Sequence, residues 1–340
     1  MQAFLDNRQR AHAPKTFMSA GIKRPSPEAP TRVDLLKAGA EAANCDFEAP
    51  KDSGMAPIGA VHEAAYLIFL QTIHARWQHI PGAAEEVIPN VHPRARTDGY
   101  PTGAVGQAGY HQADTACPIS ADTWSSAYWS AQTSVAAADA VLGGAQSAYA
   151  LCRPPGHHAY ADQAGGFCFL NNSAIAAQRL LEVGRKPVIL DIDVHHGNGT
   201  QSVFYERGDV LTISVHADPT AFYPFFWGYA DEMGAGEGQG GNLNLPLAMG
   251  SGTDGFLTAL ETAFGKIHAF GAAVIVVALG LDAHEADPIQ AVKVTTQGFE
   301  RIGSAIAAQG LPLVCVQEGG YVSLALSEAL TAFLLGAQSH

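Results

Sequence analysis

Short apolar runs, most of them rich in β-branched residues, punctuate the second half of the chain: Ser147–Cys152, Pro187–Val194, Val210–Val215, Ala273–Leu279 and Leu311–Gln317. They are continuous rather than alternating, as expected of strands buried on both faces of a parallel sheet. The stretches between them carry helical spacing. Asn172–Val183 sets Ala176, Leu180 and Val183 on one stripe, and Phe256–Phe270 and Phe299–Gln309 each stop near a glycine, Gly271 or Gly310. Asp122-Thr-Trp124 opens a further helix whose Trp124, Tyr128, Ala131 and Val135 form a core or interface stripe. Alternating strands and helices predict an α/β fold with a parallel sheet covered on both faces. Thr72–Pro118 has few periodic apolar positions and reads as a long ordered excursion. With no linker in sight, residues 1–340 are read as a single domain.

Each strand is followed by polar or glycine-rich sequence. Cys152 leads to Arg-Pro-Pro-Gly-His-His158, Val194 to His-His-Gly197, Val215 to His216-Ala-Asp218, Leu279 to Gly-Leu-Asp282, and Gln317 to Glu-Gly-Gly-Tyr321. Sites in open α/β sheets form at the carboxyl ends of strands, so five ends converge on one edge.

The run Val188-Ile-Leu-Asp-Ile-Asp-Val-His-His196 ends in four ionisable groups, which burial would penalise without compensation. Strand alternation puts Asp191, Asp193 and His195 on one face, and Asp193 with His195 offers O and N donors suited to zinc or a similar ion, the alternative being a hydrogen-bonded strand terminus. A third ligand is sought among Asp282, His284 and Asp287; Asp282 stands nearest a strand end and is preferred. Beside such an ion, the tandem His157-His158 suits a general base and its electrostatic partner. Tyr321 suits a donor to a developing oxyanion, with simple packing an equal alternative at this level.

The bulk numbers narrow the field. Across 340 residues, 47% apolar content describes a globular chain, and a net charge of −13 disfavours nucleic acid as a partner. Five scattered cysteines without a CxxC pair disfavour disulfide scaffolds and thiolate zinc sites. The N-terminus lacks the build of a signal peptide, and no apolar run approaches a membrane span. A soluble cytoplasmic protein is expected.

The strings Arg153-Pro-Pro-Gly-His-His158, Gly165-Gly-Phe-Cys-Phe-Leu-Asn-Asn172, Asp191-Ile-Asp-Val-His-His-Gly-Asn-Gly-Thr200, Leu279-Gly-Leu-Asp282 and Glu318-Gly-Gly-Tyr321 resemble those of the histone deacetylase superfamily. Order and spacing agree from about Met55 onward. Val61-His-Glu-Ala-Ala-Tyr-Leu67, Pro101-Thr-Gly103, Gly228-Tyr-Ala-Asp-Glu232 and the 72–118 insertion are most similar to bacterial acetylpolyamine amidohydrolases. The resemblance implies a three-layer αβα arginase/deacetylase fold with a central, mostly parallel sheet of about eight strands. It implies one zinc ion per subunit on Asp193, His195 and Asp282 and catalysis by His157, His158 and Tyr321, with Asp191 orienting His157 and Asn198 facing His158. Gly166, Phe167 and Tyr223 would line the substrate tunnel. One or two structural potassium ions would be held by Asp191, Asp193, His195, Ser214 and Val215, and by Phe204, Arg207 and Val210.

The activity implied is removal of acetyl groups from acetylated polyamines or similar small N-acyl amines, giving acetate and free amine. Acetyl-lysine in peptides or proteins is the alternative substrate. A ureohydrolase would need a carboxylate where His284 stands, and a non-catalytic binder would have lost a ligand, His158 or Tyr321. The insertion would shape the channel and make homodimer contacts. Polyamine-specific relatives carry an acidic residue near the position of Val105, and Asp287-Pro-Ile289 lacks a gatekeeper Glu. Asp98, Asp114 and Glu285 are therefore the candidates to meet a distal ammonium.

Overall fold

The computed structural model describes residues 1–93 and 99–339. Ten strands occur among them: β1 Gln2–Phe4, β2 Thr16–Ser19, β3 Ile22–Pro25, β4 Asp46–Glu48, β5 Ser147–Ala150, β6 Pro187–Asp191, β7 Leu211–Ala217, β8 Asn242–Leu247, β9 Val274–Leu279 and β10 Leu313–Gln317. Eight form one sheet in the order β4-β1-β5-β10-β9-β6-β7-β8, with every neighbouring pair parallel. The helices are α1 Thr31–Ala42, α2 Ala56–Gly59, α3 Ala64–Trp77, α4 Ala104–His111, α5 Thr123–Leu142, α6 Asn172–Leu181, α7 Asn198–Phe204, α8 Thr253–Phe270, α9 Thr296–Ala307 and α10 Leu326–Ala337.

The continuous apolar strands divide their side chains between two cores, as the period of two requires. Val188, Leu190, Ile275, Val277, Leu313 and Cys315 face the core built with α1, α8, α9 and α10. Ile189, Val274, Val276, Val314 and Val316 face the one built with α3, α5 and α6. This is the expected three-layer α/β architecture.

The strand through the Asp/His run is shorter than its apolar pattern predicts. It ends at Asp191, not Val194. The reason is local: Asp191 Oδ1 accepts the Asp193 N–H at 3.0 Å, and Asp193 Oδ1 accepts the His195 N–H at 2.9 Å. Aspartates that bond their own backbone two residues on replace the ladder with turns. Asp193 and His195 therefore converge from a loop and not by strand alternation.

Several elements carried no clear signal in the sequence. β1 and β4 are three residues each, and β8 is an edge strand containing Pro246, where a missing N–H is tolerated. The β2–β3 hairpin turns at Ala20-Gly21, both left-handed, as a two-residue hairpin turn demands. The excursion begins later than Thr72, because α3 continues to Trp77 with Ile73 and Trp77 buried. It includes α4 and closes with Val87 bridged to Ile119. Among the described residues no helix is long and apolar enough to cross a membrane.

Candidate active site

Four central strands, β5, β10, β9 and β6, deliver their carboxyl ends to one floor. Asp193, His195 and Asp282 are all buried, and their donor atoms lie within 4.8 Å of one another. His195 Nδ1 is 3.0 Å from Asp193 Oδ1 and 3.2 Å from Asp282 Oδ2. The remaining carboxylate valences are aimed by backbone: Gly319 N–H donates to Asp193 Oδ2 at 2.8 Å and Val194 N–H to Asp282 Oδ1 at 3.0 Å. Asp282 Oδ2 is buried without a well-formed hydrogen bond. A Cβ at Gly319 would lie 2.1 Å from that atom, so no side chain fits over the pair.

Two adjoining buried carboxylates need a counter-charge. Burial raises Asp282, as does Asp193; burial also resists ionisation of Asp193, yet His157 and His195 hold it low. Burial opposes the charge on His195, but Asp193 and Asp282 outweigh it and take the imidazole up to about 9. A divalent cation on the same three donors would replace that proton. One nitrogen and two carboxylates are an accepted zinc donor set, so the residues fit a metal.

The histidine pair stands beside this floor, ring centroids 4.0 Å apart. His157 Nδ1 meets Asp191 Oδ2 at 2.9 Å. Burial lowers its pKa, but Asp191 and Asp193 prevail and raise it to about 10. His158 behaves oppositely: burial, then the charges of His157 and His195, push it well below the usual histidine value. Its Nδ1 lies 2.6 Å from Asn198 Oδ1, while Asn198 Nδ2 donates to the Tyr160 hydroxyl at 2.7 Å. An amide oxygen only accepts, so His158 carries its proton on Nδ1 and keeps a lone pair on Nε2.

Tyr321 is buried, and burial followed by Asp282 pushes its phenol well above the usual value, so it remains a donor. Its loop is held from two directions. Asp287 Oδ2 accepts the Tyr321 N–H at 2.8 Å, and Arg32 donates to the Gly320 and Glu318 carbonyls at 2.6 and 2.7 Å. The Glu318 carboxylate accepts from Gly156 N, His157 N and Ser173 Oγ, which ties the Tyr321 loop to the histidine loop. Arg32 and Arg153 share buried Glu28 as their counter-ion. Burial raises Glu318 and Asp287, each to about 7.

Above the floor opens a cleft of about 730 Å³ lined by Gly166, Phe167, Tyr223 and Tyr321, with Phe17 and Phe226 nearer the rim. Gly166 and Phe167 are the left-handed centre of a tight turn closed by Gly165 N–H to Cys168 O at 3.1 Å and Cys168 N–H to Gly165 O at 2.8 Å. The Phe167 ring packs edge-on against Tyr321 and Phe17. Phe222 stacks on His195 at 4.9 Å.

The structure thus brings together Asp191, Asp193, His195, Asn198, Asp282, His157, His158, Tyr321, Gly166, Phe167 and Tyr223. Ser214 is paired in register with Asp191, Val215 follows it, Val210 is buried just before β7, and the Phe204 carbonyl accepts the Arg207 N–H at 3.0 Å. The rival ligands fall elsewhere: His284 bonds Thr296 Oγ1 and the Ala286 N–H, and Asp287 serves the Tyr321 backbone. Among the ammonium candidates, Asp114 lines the cleft, Glu285 is exposed and outside its lining, and Asp98 lies outside the described residues. Sequence reasoning gave no role to Glu318, Arg32, Glu28, Phe17 or Phe222. For Glu318 the signal was its place directly before Gly-Gly-Tyr321; nothing marked the others.

A histone deacetylase domain model matches residues 26–337, and the chain belongs to the histone deacetylase family. It is 48% identical over 314 residues to an acetylpolyamine amidohydrolase of Burkholderia pseudomallei, covering 92% of each chain. It is 44% identical over 309 residues to the acetylpolyamine amidohydrolase of Mycoplana ramosa, covering 90% of this chain and 91% of that one. The crystal structure of an acetylpolyamine aminohydrolase from Burkholderia pseudomallei superposes with a TM-score of 0.96 at 45% identity, covering 100% of this chain and 99% of that one.

Proposed function

We propose that the chain is a zinc-dependent amidohydrolase that removes acetyl groups from acetylated polyamines or similar small N-acyl amines. The observation that carries this reading is the opposed electrostatics of the histidine pair beside a three-donor metal set. The likeness to acetylpolyamine amidohydrolases along nine-tenths of the chain supports the substrate class.

Asp193, His195 and Asp282 would hold the zinc, which supplies Lewis acidity to the amide carbonyl and acidity to bound water. His158 Nε2 takes a proton from the attacking water, and Asn198 keeps the opposite nitrogen protonated. His157, kept cationic by Asp191, holds His158 neutral until that transfer and steadies the negative charge that follows. The Tyr321 hydroxyl donates to the oxygen of the former carbonyl. His158 then delivers its proton to the amine nitrogen as the C–N bond breaks, releasing acetate and amine. Gly166, Phe167 and Tyr223 flank the acyl-amine chain on its way to the floor.

Potassium at Asp191, Asp193, His195, Ser214 and Val215, and at Phe204, Arg207 and Val210, completes the proposed ion set. We also propose one catalytic domain over 1–340 and a homodimer contacting through the excursion, where Val91, Tyr100 and Val105 are exposed. A cytoplasmic location is supported by five cysteines that are all buried and unpaired. The deciding experiment assays acetylputrescine, acetylspermidine, acetylcadaverine and an acetyl-lysine peptide side by side. Preference for the small amines is expected; a strong preference for the peptide overturns the substrate assignment.

A further inference from the structure

Asp114 is the one carboxylate among the described residues lining the cleft, and its hydrogen bonds run to both tunnel walls. Oδ2 accepts the Tyr223 hydroxyl at 2.7 Å and the Gly166 N–H at 3.1 Å, while Oδ1 accepts the Ala116 N–H at 2.7 Å. Three segments far apart in sequence therefore meet at a single oxygen. Asp114 is itself well anchored, since the end of the excursion docks on the 164 region through Ala113 N–H to Ala164 O at 2.7 Å and Ala164 N–H to His111 O at 2.8 Å.

The arrangement has no slack beside the base. The Tyr223 ring stands nearly perpendicular to His158, with centroids 5.0 Å apart. A Cβ at Gly166 would lie 2.4 Å from His158 Cδ2 and 2.9 Å from the Tyr223 hydroxyl. Burial, then Asp114, pushes the Tyr223 phenol well above its usual value, which keeps it a donor to the carboxylate. Hydrogen bonds to a carboxylate oxygen are strong ones, and two of them converge on Oδ2. With both lone pairs of that oxygen engaged, the carboxylate is built to join walls more than to greet a mobile ammonium.

We infer that Asp114 is a positioning and specificity-determining residue: by tying Tyr223 to Gly166 it fixes the tunnel aperture beside His158 and confines the enzyme to acylated amines with slender, unbranched chains. The inference rests on the deacetylase reading for its substrates, though not for its geometry.

The test uses the full-length, metal-loaded protein with Tyr223→Phe, which keeps the ring and removes the hydroxyl, and with Asp114→Asn. An amide at 114 cannot satisfy both the Gly166 and Ala116 N–H groups. Three acetamides are compared: N-acetylputrescine, neutral N-butylacetamide and bulky N-cyclohexylacetamide. Both variants are expected to lower kcat/KM about 10-fold for the two linear substrates alike, chiefly through KM. The preference for butyl over cyclohexyl should shrink by about the same factor. Hydrogen–deuterium exchange should quicken in segments 164–168 and 222–228. A defect confined to acetylputrescine in Asp114→Asn, with Tyr223→Phe like wild type, would make Asp114 a charge reader and overturn the clamp. Unchanged selectivity and exchange in both variants would also overturn it. If the wild type cleaves none of the three, the deacetylase reading fails, while exchange still decides the clamp.

Discussion

At the floor of the cleft, Asp191, Asp193, Asp282 and Glu318 are 2, 0, 0 and 0% exposed and bound by backbone or histidine partners. At its rim, Phe225, Phe226 and Trp227 are 47, 81 and 43% exposed. The floor is polar where a core should be apolar; the rim is apolar where a surface should be polar. Burial makes each floor charge depend on its partner, so geometry there is specified atom by atom. Rim residues carry little folding energy and are available to contact substrate.

Perturbing each region sharpens that contrast. The largest effect is expected at the floor: Asp282→Ala should strip the metal, as elemental analysis would show, and cut turnover roughly 1,000-fold or more. Retained metal with full activity would break the ligand assignment. Tyr321→Phe should lower kcat about 100- to 1,000-fold with metal content unchanged, since only an oxyanion donor is lost.

A third, smaller effect is electrostatic. Burial, then His157 and His195, lowers the His158 pKa, so its base form persists below pH 6.5 and the acid limb of kcat/KM lies on that side. Asn198→Asp places a carboxylate on Nδ1, favours the imidazolium and should move the limb to higher pH by about one unit. A pH–rate profile in which the limb stays put would remove His158 from the base role. The smallest effect belongs to the rim: Phe226→Ser should shift Tm by less than about 1 °C and kcat by less than about twofold, with any change appearing in KM. A large loss of stability there would erase the distinction between rim and floor.

The two regions also differed in how far the sequence disclosed them. Floor residues sit within a few positions of continuous apolar strands, so Asp193, His195, Asp282, His158 and Tyr321 could be singled out near strand ends, with His284 and Asp287 left as rival ligands and packing left as a role for Tyr321. The sheet was legible for the same reason, except for short or edge strands such as β1, β4 and β8, whose few buried residues leave no pattern. The extent of β6 was overread because apolar content does not reveal that Asp191 and Asp193 bond their own backbone. The walls and rim gather residues 17, 114, 167 and 223 from four separate segments. No local spacing encodes that meeting, nor the pairing of Arg32 with the Tyr321 loop across 288 positions.

That last contact bears on how the protein is made. Arg32 leaves the ribosome 288 residues before its Gly320 carbonyl acceptor, so this brace of the candidate site cannot form until both have been made. Contacts of such wide sequence separation form late and slowly. A nascent chain can hold Asp193, His195, Asp282 and both histidines while still lacking the contacts that brace the Tyr321 loop.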